Sequence, residues 1–104
     1  MMENPGFKQL DDLTSRKIIV SGEDLMLAEV HFKKGGIGAL HKHTDHEQAG
    51  YIAKGSFELT LGSEKKVVRQ GDCYYAPKNV LHGVVALEDS IIIDSFTPIR
   101  KDFL

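Results

Sequence analysis

Two histidines two residues apart, His41 and His43, sit in the stretch Leu40-His41-Lys42-His43-Thr44-Asp45-His46-Glu47-Gln48. On a strand, that spacing points both imidazoles to one face, close enough to share a ligand. Packing alone gives side-by-side imidazoles little reason to be buried. A divalent cation gives both a reason, because neutral imidazole is a favoured ligand for Zn, Ni, Fe and related ions. A solvated polar loop that happens to carry histidines is the alternative. A second cluster lies further on. Asp94 follows Ile91-Ile92-Ile93, a costly place for a carboxylate unless it is paired or at work. Asp94 and Phe96 share a strand face with Ile92, Pro98 ends the strand, and Arg100 lies just beyond, able to fold back toward the same opening. An acid, an aromatic wall and a guanidinium near an internal metal suit a small anionic carbohydrate. A turn-capping Asp and a surface Arg fit the same spacing equally well.

Such side chains need a rigid frame, and the rest of the chain specifies one. With 104 residues, 41% hydrophobic and 27% charged, the chain is expected to form a single small globular domain. Phe57-Glu58-Leu59-Thr60-Leu61 alternates strictly, the period-2 mark of a half-buried strand. Met26, Ala28, Val30 and Phe32 also fall two apart, on one face of another strand. Strands are further expected at Arg16–Val20, Gln48–Ala53, Lys66–Arg69, Cys73–Ala76, Gly83–Leu87 and Ser90–Phe96, all rich in Val, Ile, Tyr or Phe. Gly22, Gly35-Gly36, Gly55, Gly62-Ser63, Gly71-Asp72 and Pro77-Lys78-Asn79 punctuate them. Many short strands with no helical window predict an all-β, antiparallel sandwich or barrel over residues 16–104. Residues 1–15, polar and carrying Asn4-Pro5-Gly6, read as an N-terminal arm.

The spacing of particular residues resembles the two motifs of the cupin superfamily. The first is Gly35, five residues, His41-x-His43, four residues, Gln48, six residues, Gly55. The second is Gly71, five residues, Pro77, and His82 five positions later. Gln48 stands where the family has Glu, Asn79 where the second motif has Gly, and Ala86 where it has Asn. Asn tolerates positive φ better than most non-Gly residues, so Asn79 is a mild change. The resemblance implies a double-stranded β-helix (jelly-roll) barrel holding one divalent ion through His41, His43, Gln48 and His82. Glu47 is the alternative fourth ligand, although Gln48 has the family's six-residue gap to Gly55. Three imidazoles and an amide leave the ion its full charge, which attracts an anion and favours Lewis-acid work over oxygen activation. The metal, Zn, Ni, Fe or Mn, is left open, because imidazole-rich sites accept several.

The ending Asp94-x-Phe96-x-Pro98-x-Arg100-x-Asp102-Phe103-Leu104, with His-x-His-x4-Gln, further resembles the small pectin-degradation cupins. These linearise 4,5-unsaturated monouronates from pectin or alginate. That resemblance implies Asp94 and Arg100 as catalytic residues and Phe96 and Arg100 as the substrate contacts. A cupin dioxygenase or a non-catalytic module that binds a small sugar or acid are the competing expectations. Of the remaining residues, His46 reads as an exposed loop histidine, His31 as a hydrogen-bonded sheet histidine sharing a face with Leu27 and Glu29, and Cys73 as a small packing residue.

A net charge of −2 from 13 basic and 15 acidic residues argues against nucleic acid or an anionic membrane as partner. No apolar run approaches a bilayer span, and Met1–Gln9 lacks a signal-like apolar stretch. One cysteine fits a reducing compartment, so a cytoplasmic setting is expected. Homodimerisation is expected from the aliphatic run Ile91–Ile93.

Overall fold

Alternating side chains impose faces, and faces impose layers. The computed structural model describes residues 6–104; of the expected N-terminal arm, residues 1–5, with Asn4 and Pro5, lie outside the described residues. Ten strands follow in order: β1 (Phe7–Gln9), β2 (Thr14–Ser21), β3 (Met26–Phe32), β4 (Ile37–His41), β5 (Glu47–Lys54), β6 (Ser56–Leu61), β7 (Glu64–Arg69), β8 (Cys73–Ala76), β9 (His82–Ala86) and β10 (Ser90–Thr97). A short 3₁₀ turn, Lys101–Phe103, ends the chain. All pairings are antiparallel. They build a six-stranded sheet, β1-β2-β3-β10-β5-β8, and a four-stranded sheet, β4-β9-β6-β7. This is the expected all-β barrel. Two strands were not anticipated. Phe7–Gln9, from the segment read as an arm, pairs with β2, and Ile37–His41 pairs with β9 despite Gly35-Gly36 before it and Gly38 within it.

The apolar faces meet between the sheets. Phe32, Ile52, Phe57, Leu59, Val68, Val84 and Ile92 form one cluster, and Met26, Ala28 and Phe96 form a second against Ile18, Ile99 and Phe103. Burying each large side chain contributes roughly 1.5–3 kcal/mol, so the central strands β3, β5, β6 and β10 carry most of the stabilisation. No helix among the described residues is long and apolar enough to cross a membrane.

Register then places the polar groups. Across the large sheet, Ala28, Asp94, Gly50 and Tyr74 form one inward row. Met26, Phe96, Gln48 and Ala76 form the next. On β5 the odd residues Glu47, Ala49 and Tyr51 face out, while Gln48, Gly50 and Ile52 face in. The small sheet contributes His41, which pairs in register with His82.

Candidate metal centre and its cavity

His41 ends β4, His82 begins β9, Gln48 is the second residue of β5, and His43 lies in the loop between β4 and β5. Three side chains from residues 41–48 thus meet His82, which comes from the far half of the chain. One ring nitrogen from each of His41, His43 and His82 lies within 4.8 Å of the others. The Nε2 atoms of His41 and His43 are 3.2 Å apart, and Gln48 Oε1 is 3.2 Å from His43 Nε2 and 3.1 Å from His82 Nε2. The loop holding His43 is pinned by Asn79, whose backbone N–H donates to the His43 carbonyl at 2.7 Å. Asn79 sits at φ 65°, the left-handed conformation its position in the motif requires.

The chemistry of these donors fits a cation. His41 Nδ1 faces the Ala39 carbonyl at 2.6 Å and His82 Nδ1 faces the Val80 carbonyl at 3.1 Å. Those carbonyls place the proton on Nδ1 and leave Nε2 as a bare lone pair. Gln48 is oriented the same way. Its Nε2 donates to Tyr74 Oη and to Asp94 Oδ1, both at 3.0 Å, which fixes its carbonyl toward the rings. His41 Nε2, His82 Nε2 and Gln48 Oε1 are thus set as acceptors about one point, with His43 Nε2 beside them. Ligand atoms about 2.1 Å from an ion stand about 3.0 Å apart at right angles and about 3.4 Å apart in a tetrahedron. The observed 3.1–3.2 Å contacts fall in that interval. Burial pushes the His43 imidazole down to about 4 and that of His82 down as well, against the pull of their hydrogen bonds. Both rings are therefore neutral and ready to ligate near pH 7.

Glu47, the alternative fourth ligand, faces outward and accepts a hydrogen bond from Tyr75 at 2.9 Å. Asp94 lies directly behind Gln48. Burial raises its carboxyl to about 6, opposed by hydrogen bonds from Gln48 and Tyr74. Tyr74 Oη donates to Asp94 Oδ1 at 2.9 Å, closing a triangle with the Gln48 amide. Burial, then the Asp94 charge, raises the Tyr74 hydroxyl well above its ordinary value, so it stays a donor. Tyr74 was not singled out from the sequence. The signal present was its period-2 partnership with Ala76, which marks an inward face but not a polar partner.

His41, Gln48, His82, Asp94, Phe96 and Arg100 all line one cavity of about 160 Å³, far above the ~10–15 Å³ that one water needs. Phe96 stands edge-on to His43, with centroids 6.2 Å apart. Arg100 lies with Cζ 5.5 Å from the Phe96 ring, and both forks of its guanidinium bond Asp102, at 3.0 and 2.7 Å. His46, expected exposed, is half-buried, and its Nε2 meets the Ile99 carbonyl at 3.1 Å, tying the loop that carries His43 to the C-terminal segment. His31 pairs with Glu29 on the outer face, away from the cavity. Cys73 is exposed rather than packed, because β8 alternates and its inward positions go to Tyr74 and Ala76.

Comparison with known proteins agrees with this fold. The cupin domain family matches residues 28–94. The chain is 50% identical over 99 residues to the pectin degradation protein KdgF of Dickeya dadantii, covering 94% of this chain and 90% of that one. Among solved structures, KdgF from Halomonas sp. superposes with a TM-score of 0.92 at 41% identity, covering 94% of this chain and 90% of the other. An RmlC-like cupin from Shewanella frigidimarina superposes with a TM-score of 0.90 at 32% identity, covering 94% and 87%.

Proposed function

The chain belongs to the cupin domain family, and from that premise we propose that it is an isomerase that linearises 4,5-unsaturated monouronates derived from pectin or alginate. The observation that carries this reading is one cavity lined by His41, Gln48, His82, Asp94, Phe96 and Arg100, with the His43 ring nitrogen beside the first three. The two KdgF relatives, one named for pectin degradation, support the substrate class.

His41, His43, His82 and Gln48 would hold the divalent ion, which when bound supplies Lewis-acid stabilisation of developing oxyanion charge. The protein's own groups handle the proton and the ring. The substrate is a cyclic hemiacetal with a C4–C5 double bond and a carboxylate at C6. Asp94 is the proton carrier. Its Oδ1 is occupied by Gln48 and Tyr74, which leaves Oδ2 to take the proton from the anomeric hydroxyl. The C1–O5 bond then breaks, giving an aldehyde at C1 and an enolate oxygen on C5. Asp94 returns the proton to C4, and the enolate becomes a ketone. One proton leaves and one arrives, so no redox partner or organic cofactor enters the balance. A carboxyl titrating near 6 is poised to do both near neutral pH. Phe96 offers an apolar wall for the sugar ring, and Arg100 adds a guanidinium at the mouth.

The direct experiment follows the ultraviolet absorbance of the unsaturated uronate with metal-loaded protein. Its loss beyond the spontaneous rate is expected, with open-chain keto product. An unchanged rate would remove the assignment, and substrate recovered bound but intact would mark a binding module instead. The protein acts in the cytoplasm as a pair of copies; light scattering that gives a monomer mass would remove the pairing.

A further inference from the structure

Two guanidinium groups line the cavity, and they differ in what they already hold. Arg100 is engaged by Asp102 through two charge-assisted bonds. Arg16 makes no ion pair and no side-chain hydrogen bond among the described residues. It lies on the inward side of β2, opposite Val30 in register, and is part-buried. Its Cζ is 3.6 Å from the centroid of the Phe103 ring, and the Cζ of Arg100 is 4.2 Å from the same centroid. Phe103 therefore carries both guanidinium groups. A guanidinium lying over an aromatic ring keeps its N–H edge free for a second partner in its own plane. The Asp102 carboxylate is nearby, but both of its oxygens are used by Arg100.

A part-buried cation with five unused donors, facing the cavity that holds Asp94 and the histidines, is a receptor for an anion. We infer that Arg16, stacked on Phe103, is the residue that pairs with the carboxylate of the sugar acid. The Arg100–Asp102 pair then serves as the charged wall that holds Phe103 beneath it. This rests on the uronate reading and assigns the carboxylate subsite of that same site. It also gives the C-terminal turn a task. Phe103 comes from the Lys101–Phe103 turn, and the preceding Ile99 carbonyl is tied to His46 in the metal-site loop. The carboxylate subsite and the metal cradle are thereby held by one continuous segment.

Calorimetry on the metal-loaded full chain tests the assignment with galacturonate, a saturated uronate that cannot react, and galactose, its neutral counterpart. The wild-type protein is expected to prefer galacturonate. Arg16→Gln should weaken galacturonate binding about 10- to 100-fold, the loss of a hydrogen-bonded charge pair, and leave galactose binding unchanged. Arg16→Lys should recover part of the loss, since it keeps the charge without the fork. Metal content and melting temperature of both variants check that the barrel is intact. With the unsaturated uronate, Arg16→Gln should raise KM by the same factor with kcat within a few-fold of wild type. Equal galacturonate affinity in wild type and Arg16→Gln would overturn the inference, as would a wild-type protein indifferent between the two sugars. If the Arg16-dependent preference is present but the unsaturated uronate is not turned over, the inference stands and the isomerase reading fails.

Discussion

Replacing Gly50 by alanine should damage a candidate metal centre that Gly50 never touches. Gly50 sits between Asp94 and Tyr74 in the cross-strand row, and the missing side chain is what lets the Tyr74 ring lean across to Asp94. A Cβ at residue 50 would lie 2.2 Å from Tyr74 Cε1, 2.5 Å from Cζ and 2.8 Å from Oη. Carbon atoms pack best at about 3.5–4.0 Å, so the ring must move by more than about 1 Å. Tyr74 is only 8% exposed, and its hydroxyl bonds, at 2.9 Å to Asp94 and 3.0 Å from Gln48, would stretch beyond hydrogen-bond reach. Overpacking costs about 1–3 kcal/mol, and stranded buried polar groups cost about 1–3 kcal/mol more. A total of roughly 2–6 kcal/mol corresponds to a melting temperature lower by about 10 °C or more in a domain of this size. Gln48 would lose one of the two acceptors that aim its carbonyl, so metal affinity should fall about 10- to 100-fold. The sign is diagnostic, because Gly→Ala at an ordinary backbone conformation stabilises by about 0.4–1 kcal/mol. Thermal melts and metal titration of Gly50→Ala, Tyr74→Ala and the double variant form the assay. The alanine at 50 should cost little once Tyr74 is removed. A Gly50→Ala protein that melts and binds metal like wild type would refute the account of how Gln48 is oriented.

Three further outcomes are expected. In metal-free protein the Asp94 carboxyl is raised by burial from 3.8 to about 6. A raised folded value makes its contribution fully present below the unfolded value and lost as pH rises through about 6. The loss is on the order of 3 kcal/mol, and denaturant titrations at several pH values should show it in wild type and not in Asp94→Asn. Gln48→Glu, the residue usual in the family motif, replaces an N–H donor to Asp94 and Tyr74 by a second carboxylate. It should retain metal by elemental analysis yet slow uronate turnover about tenfold or more, because two adjacent carboxylates hold one proton between them. Asn79→Gly should be neutral or slightly stabilising in chemical denaturation, whereas Asn79→Ala should cost about 1 kcal/mol at its φ of 65°.

Strand content and face assignment were legible from the chain alone because a strand's period is local. Met26, Ala28 and Phe32 face the core as their spacing predicts, and the Asp94–Phe96 face points inward with Ile92. The motif spacing also anticipated that His82 would join His41 and His43, and that Asn79 would take a positive φ. What no local pattern contains is which strand lies beside which. β10 runs between β3 and β5, and only that order sets Asp94 next to Gly50, with Tyr74 beyond it. The choice of Gln48 over Glu47 as the inward residue was likewise left open by sequence spacing and decided by the register of β5 against β10 and β8. Arg16 read as the first residue of an ordinary strand. Its place in the cavity lining, stacked on Phe103, depends on that ring folding back from the far end of the chain. Residue types and periodicity are encoded by neighbours in sequence, so the chemistry and the strands could be read directly. Convergence depends on contacts between segments dozens of residues apart, and those exist only once both sheets have closed around a shared core.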